Sequence, residues 1–311
     1  MELYWEPKGG GVFELTPVAG DVKWFSSAAG QAGYVEFEMM KGAADLRTGD
    51  GIRLALSGAD RFLGRVFTLT AGPDRVKVRA YDQLRYLLQK YSYTFTGVTA
   101  SAMLRAMARD FRLAVGAVAD TGYVFAKFAA DGQSLLDMML SALKQTRENT
   151  GRLFVLGDEA GRLTLTDCRN RIRPFALSAA HNLTDYSDVH TIDESAYTKF
   201  EISRTAGSGR EVRTLVNAPA MDRFGVLLWT GSAGSEESAA VMDSRLRQAE
   251  RRYAREHRSF SCEGAGEDVR AGDVVAVMAA GETRPYLIAS VRHAFAGGAR
   301  HTMKLELERF A

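Results

Sequence analysis

Five histidines, two cysteines and one run of arginines are the side chains best suited to chemistry in this 311-residue chain. The histidines are His181, His190, His257, His293 and His301. A metal site asks for pairs such as His-x-x-x-His, because that spacing puts two imidazoles on one helix face. No pair has it. The nearest approach is His190 followed by Asp193 and Glu194, and it reads as a polar loop. Cys168 and Cys262 lie far apart with no Cys or His at ligand spacing, so both are expected to be buried free thiols in a reducing compartment. No Gly-x-Ser-x-Gly elbow, Walker loop or dinucleotide fingerprint follows a strand. Gly9-Gly10-Gly11 opens no helix and so cradles no phosphate. No pair of carboxylates stands out for glycoside hydrolysis. The sequence thus points to no catalytic, cofactor-binding or metal-ligating residue, and to no cofactor.

The arginines fall on a long helix expected from about Glu236 to His257. Met242, Leu246, Ala249 and Tyr253 form its apolar face; Arg247, Arg251, Arg255 and Arg258 lie opposite, with Arg245 and Arg252 on one flank. Glu236 and Glu237 at its start, and Arg255, His257 and Arg258 at its end, complement the helix dipole. Such a stripe is an electrostatic footprint for nucleic acid, a surface for acidic partners, or a solvated face. The total charge argues against nucleic acid, since 40 basic and 38 acidic residues leave only +2.

The elements that position these groups are mostly strands. From Val12 to Ala80 apolar and polar residues alternate, as in Tyr34 to Met39 and Val66 to Thr70, between Gly-rich or Gly-Pro turns. Helical spacing then appears from about Thr99 to Phe111, and again from Ser134, a good N-cap, to Gly151, a good left-handed C-cap. A hairpin joins Arg152–Leu156 to Arg162–Thr166, completing a small α/β unit. Strands resume after Pro174, with Lys199–Ser203, Glu211–Val216 and Gly225–Trp229 clear by pattern, and the long helix interrupts this second sheet. The hydrophobic share of 46% and charged share of 25% suit a globular protein of two or three domains. No apolar run reaches the roughly 18 residues that span a bilayer. Met1 to Lys8 lacks a signal-peptide pattern, so synthesis and retention in the cytoplasm are expected.

One motif occurs twice. Asp45-Leu46-Arg47-Thr48-Gly49-Asp50 feeds the strand from Gly51, and Asp268-Val269-Arg270-Ala271-Gly272-Asp273 feeds the strand from Val274. A second strand follows each, at Arg61–Val66 and Arg284–Ala289, and then a third, at Val76–Ala80 and Thr302–Leu307. Repeats dictate architecture, and this one predicts two related β-barrels at the two ends of one polypeptide.

Ala80-Tyr81-Asp82-Gln83-Leu84-Arg85-Tyr86-Leu87 resembles the tail hub proteins of PBSX-like prophages. The wider group includes the phage late control protein D hubs and the hub part of VgrG spikes. The resemblance continues through Thr99–Phe111, Asp120–Tyr123, Glu148–Gly151, Ile192-Asp193-Glu194, Trp229 and the Val269–Asp273 turn. The Gly-, Ser- and Glu-rich run from Gly231 to Ser238 departs from it.

The resemblance implies two barrels of the tail-tube type per chain and a homotrimer whose six barrels form a pseudo-sixfold ring. A hexameric tail tube would dock on one side and a trimeric central spike on the other, because two similar barrels let threefold symmetry present six near-equivalent surfaces. The expected fold class is mainly β with an α+β insert: two tube-like barrels flanking a small α/β domain, plus one long helix inserted in the second barrel. The expected domains are a first barrel over 1–87, an α/β insert over 88–175, and a second barrel over 176–311 with the helical insertion at about 235–258. The expected role is a non-enzymatic baseplate hub of a contractile tail, in a phage, prophage or tailocin particle. Further expected partners are wedge or LysM-type baseplate proteins and the tape-measure protein, with no nucleic acid and no stable membrane association. The rival readings are a baseplate-associated peptidoglycan hydrolase and an oligonucleotide-binding barrel protein, whose mark would be salt-dependent binding to single strands.

Overall fold

The computed structural model describes residues 1–28, 30–178, 180–193, 196–206, 209–279, 282–297 and 300–310. The chain divides into two compact units: 1–147, 152–187 and 260–311 make the first, and 148–151 with 188–259 the second.

In the first unit the N-terminal strands are β1 (Glu2–Glu6), β2 (Phe13–Glu14), β3 (Ala19–Ser27), β4 (Tyr34–Met40), β5 (Gly51–Leu56), β6 (Ala59–Ala71) and β7 (Arg75–Tyr81). An α/β segment follows, with β8 (Lys90–Thr99), α1 (Ala100–Asp110), β9 (Val115–Val118), β10 (Val124–Ser134), α2 (Leu135–Thr150), β11 (Phe154–Asp158) and β12 (Leu163–Asp167). The chain then forms β13 (Ile172–Ser178) and β14 (Leu183–Thr191). In the second unit come β15 (Lys199–Ala206), β16 (Gly209–Val216), α3 (Ala218–Phe224), β17 (Leu228–Ser232) and α4 (Ala239–Tyr253). The last strands are β18 (His257–Ala265), β19 (Val274–Ala279), β20 (Glu282–Ala296) and β21 (Arg300–Arg309).

The first seven strands and β13, β14 and β18–β21 share one 13-stranded sheet, curled into half-barrels. Its N-terminal part runs β3-β4-β7-β6-β5-β1, and its C-terminal part runs β14-β18-β21-β20-β19-β13. The two orders are the same if β1 matches β13, β3 matches β14 and each later strand matches in turn. Equivalent strands bury equivalent side chains. Val66, Val78 and Ala80 lie in the first core with Leu3 and Phe37, while Ile288, Leu305 and Leu307 lie in the second with Leu177 and Phe260. One detail differs: β1 is antiparallel to β5, whereas β13 is parallel to β19.

The α/β segment has its own core, in which Met103, Leu104 and Met107 of α1 meet Leu135, Met139 and Leu143 of α2. Ser134 caps α2 as expected and Thr99 caps α1, since their hydroxyls accept from the Asp137 and Ala102 N–H groups. The β8–β10 ribbon, whose strands pair antiparallel, has no counterpart in the sequence reading.

In the second unit β15 pairs with both β16 and β17. Met242, Leu246 and Ala249 of α4 are buried against Phe200 and Ile202 of β15, as their spacing predicts. The inserted piece is therefore larger than the expected helix at 235–258, because these strands pair with one another and not with the second half of the large sheet. The helix is also shorter than expected: Ser238 caps it, it ends at Tyr253, and His257 already belongs to β18. Among the described residues no helix is long and apolar enough to cross a membrane.

Candidate functional site

The twin Gly-Asp turns match bond for bond. In the first, the Gly49 N–H donates to the Val66 carbonyl at 2.7 Å and the Val66 N–H to the Asp50 carbonyl at 2.8 Å. In the second, the Gly272 N–H donates to the Ile288 carbonyl at 2.9 Å and the Ile288 N–H to the Asp273 carbonyl at 2.8 Å. Each carboxylate folds back onto its own turn, accepting from the Arg47 N–H at 2.9 Å or the Arg270 N–H at 3.1 Å. Each also holds the matching upstream segment. Asp50 accepts from the Trp5 indole at 2.9 Å, and Asp273 from the Arg171 guanidinium at 2.8 Å. Burial alone would raise the Asp50 pKa, but the donors at Arg47, Trp5 and Lys8 outweigh it and hold the carboxyl below its ordinary value. Gly49 and Gly272 have φ of 91° and 88°, a left-handed conformation that costs a side chain free energy. A register shift follows each turn at the same place, after Val66 in β6 and after Ile288 in β20.

The two halves meet where β20 pairs antiparallel with β3, from Ser290 opposite Ser27 to Phe295 opposite Val22. His293 lies opposite Trp24 in this seam and stacks on it at 4.7 Å. Its Nε2 is 2.9 Å from the Val269 carbonyl and its Nδ1 2.9 Å from Nε2 of His301. A carbonyl only accepts, so the proton of neutral His293 sits on Nε2, and Nδ1 accepts from His301. Burial, with His301 beside it, lowers the His293 pKa to about 4.

Charged groups flank the seam. Arg61 of β6 pairs with Asp268, and Arg270 donates to the carbonyls of Arg61 at 3.1 Å and Asp158 at 3.4 Å. Glu159 pairs with Arg171 at 2.7 Å and Arg270 at 3.3 Å. Arg270 thereby ties the second half-barrel to the first and to the β11–β12 hairpin. Asp82, which caps a short 3-10 helix (Gln83–Leu88), accepts from the Gly33 and Leu84 N–H groups at 2.9 and 3.0 Å. Burial and the nearby Asp158 raise its pKa well above the ordinary carboxyl value. A cavity of about 40 Å³ lies among Trp24, Arg61, Asp82, Asp158 and Arg270. That is room for a few water molecules.

A family model described as YQBQ-like matches residues 22–308. The chain belongs to the YQBQ-like family. It is 28% identical to the YqbQ protein of Bacillus subtilis (strain 168) over 266 residues, which cover 83% of this chain and 81% of that protein. It is 27% identical, with the same coverage, to the phage-like element PBSX protein XkdQ of the same organism. The resemblance to PBSX-like tail proteins drawn from Ala80–Leu87 and the later motifs is thus borne out. Among solved structures, the 43 kDa tail protein of prophage MuSo2 from Shewanella oneidensis superposes with a TM-score of 0.75. The match covers 99% of this chain and 98% of that one at 15% identity, so it shows a shared fold.

In this YQBQ-like chain the histidines, cysteines and arginines suited to chemistry are spread over several elements. His293 and His301 meet across the β20–β21 hairpin, a pairing that helical spacing rules do not reveal. His190 contacts Glu256 at 2.9 Å and Asp188 at 3.4 Å; Glu194 lies outside the described residues. His181 lies in the turn between β13 and β14, and His257 opens β18. Cys168 and Cys262 are buried and free, and burial pushes both thiols up to about 12. The arginine stripe divides. Arg247, Arg251 and Arg255 are exposed, while Arg245 pairs with Glu237 at 2.7 Å and Arg258 pairs with Asp188 from β18. No spacing in the sequence brings Arg61, Asp82, Asp158 and Arg171 together; the signals near them are Asp82, inside the Ala80–Leu87 motif, and Arg270, inside the repeated turn.

Proposed function

We propose that this YQBQ-like protein is a structural, non-enzymatic hub in the baseplate of a contractile tail, whether of a phage, a prophage or a tailocin. Three copies close into a pseudo-sixfold ring of six half-barrels, with the hexameric tail tube on one face and the trimeric spike on the other. The segments 1–87, 88–175 and 176–311 serve as first barrel, α/β insert and second barrel. The α/β insert and the piece carrying α4 offer surfaces to wedge or LysM-type proteins and to the tape-measure protein. The chain is made in the bacterial cytoplasm and ends in the particle.

The observation that carries this reading is the repeated strand order within one chain. Two near-equivalent halves are what a threefold ring needs to meet a sixfold tube. The likeness to a PBSX phage-like element protein and to a prophage tail protein supports the same role. Mass photometry of the chain with the spike trimer from the same particle tests it. A species with three hub chains is expected, and a strict monomer in that mixture would overturn the reading. Clearing of peptidoglycan in a zymogram would overturn its non-enzymatic part.

A further inference from the structure

The β3–β20 seam has an unfilled twin. Beyond Ile288, β20 pairs with β21 on one side and with β3 on the other. Its equivalent, β6, pairs beyond Val66 with β7 alone among the described residues, since its pairing with β5 ends at Arg65. Counting from Val66 and Ile288, the residues equivalent to Ser290–His293 are Thr68–Ala71. The equivalent of β3 is β14, which closes the other end of the sheet and, among the described residues, pairs with β18 only. Its side chains show what is missing. Thr184, Asp185, Tyr186 and Ser187 are all exposed, whereas Trp24, Phe25 and Ser27 of β3 are buried. A strand covered on one face would alternate, and an open edge with unpaired N–H and C=O groups is a template for another strand.

We propose that β14 of one copy pairs antiparallel with the Thr68–Ala71 half of β6 in the next copy, repeating between chains the seam that β3 and β20 make within one. The inference rests on the ring reading and says how the ring is joined. Because the two edges differ, the contact is head-to-tail, and a head-to-tail contact closes into a ring when its rotation allows. The large sheet then runs unbroken from chain to chain, and every half-barrel has the same kind of neighbour on each side.

Disulfide trapping tests the joint in the full-length chain, alone and with the spike trimer. Thr70→Cys is combined in turn with Asp185→Cys, Tyr186→Cys and Ser187→Cys. All four positions are exposed, so folding is retained, and the two native cysteines are buried. On oxidation at least one combination should give a non-reducing ladder that stops at three chains. An equal mixture of Thr70→Cys chains with chains carrying only the matching β14 cysteine should stop at two, and either single variant alone should stay uncross-linked. Cross-linking by a single variant would mean a twofold contact and overturn the joint. Three-chain particles by mass photometry with no trapping in any combination would overturn the joint and leave the ring standing. Monomers in both preparations would overturn the ring, and the joint with it.

Discussion

His293 shows how much a side chain's meaning depends on its partners. In sequence it is one of five scattered histidines; in the fold it stacks on Trp24, donates a hydrogen bond to the Val269 carbonyl and accepts one from His301. Held neutral with a pKa near 4 against an ordinary 6.5, it binds its proton more readily in the unfolded chain. Its share of stability is therefore complete above pH 6.5 and is lost as pH falls towards 4. The loss is up to about 3 kcal/mol, from 1.36 kcal/mol for each pKa unit. Urea midpoints at pH 7 and pH 4.5 measure it. His293→Gln keeps a donor for Val269 but cannot titrate, so it should be less stable at pH 7 and show a smaller fall on acidification. An unchanged fall would place the acid sensitivity elsewhere. The pairing was illegible in sequence because it is made across a hairpin, where residue spacing depends on the turn.

Elements were legible where their signals are local. The Gly-Asp turns, the cap at Ser134 and the apolar face of α4 all follow from spacing and backbone chemistry within a few residues. The β8–β10 ribbon was missed although Tyr91, Tyr93 and Phe95 alternate with Ser92, Thr94 and Thr96, because a run this largely exposed stands apart from the hydrophobic stretches that mark buried strands. Strands β15 to β17 were found, the last about three residues early, but their sheet was misjudged, because a pattern says that a strand exists and not which strand it pairs with. The helix end was overrun because Arg255, His257 and Arg258 resemble C-terminal capping residues, although Arg258 pairs with Asp188 from β18. The faces of α4 give a paired expectation. Leu246 is 2% exposed, so Leu246→Ala should cost about 2–5 kcal/mol in a thermal or urea melt. Arg247→Glu and Arg251→Glu should change stability by under about 1 kcal/mol, as exposed charges do. Equal, small effects in all three would mean that α4 contributes nothing to the fold of its unit.

Across the whole molecule, the repeat says which parts the sheet requires. In the first half β3 passes to β4 through residues 28–33. In the second half the equivalent step from β14 to β18 takes 192–256 and encloses β15 to α4. That piece buries Phe200, Ile202, Met242 and Leu246 in a core of its own, and the second half-barrel buries Leu177, Phe260, Ile288 and Leu305 in another. Separate cores make separate folding units. The sequence pointed to strands resuming after Pro174 but not to where their interruption begins, since strands inside the insertion and strands of the sheet share one alternating pattern. Replacing 192–256 with a six-residue loop like 28–33 should leave the first unit folded. Circular dichroism should keep its strand signal, and the urea transition should remain cooperative with a slope reduced in proportion to the surface removed. If three copies associate through the large sheet, the shortened chain should also form the three-chain species with the spike. A shortened chain that folds but no longer assembles would move the contacts of assembly into the inserted piece. One that fails to fold would mean that the two halves, alike in strand order, differ in what each needs to stand.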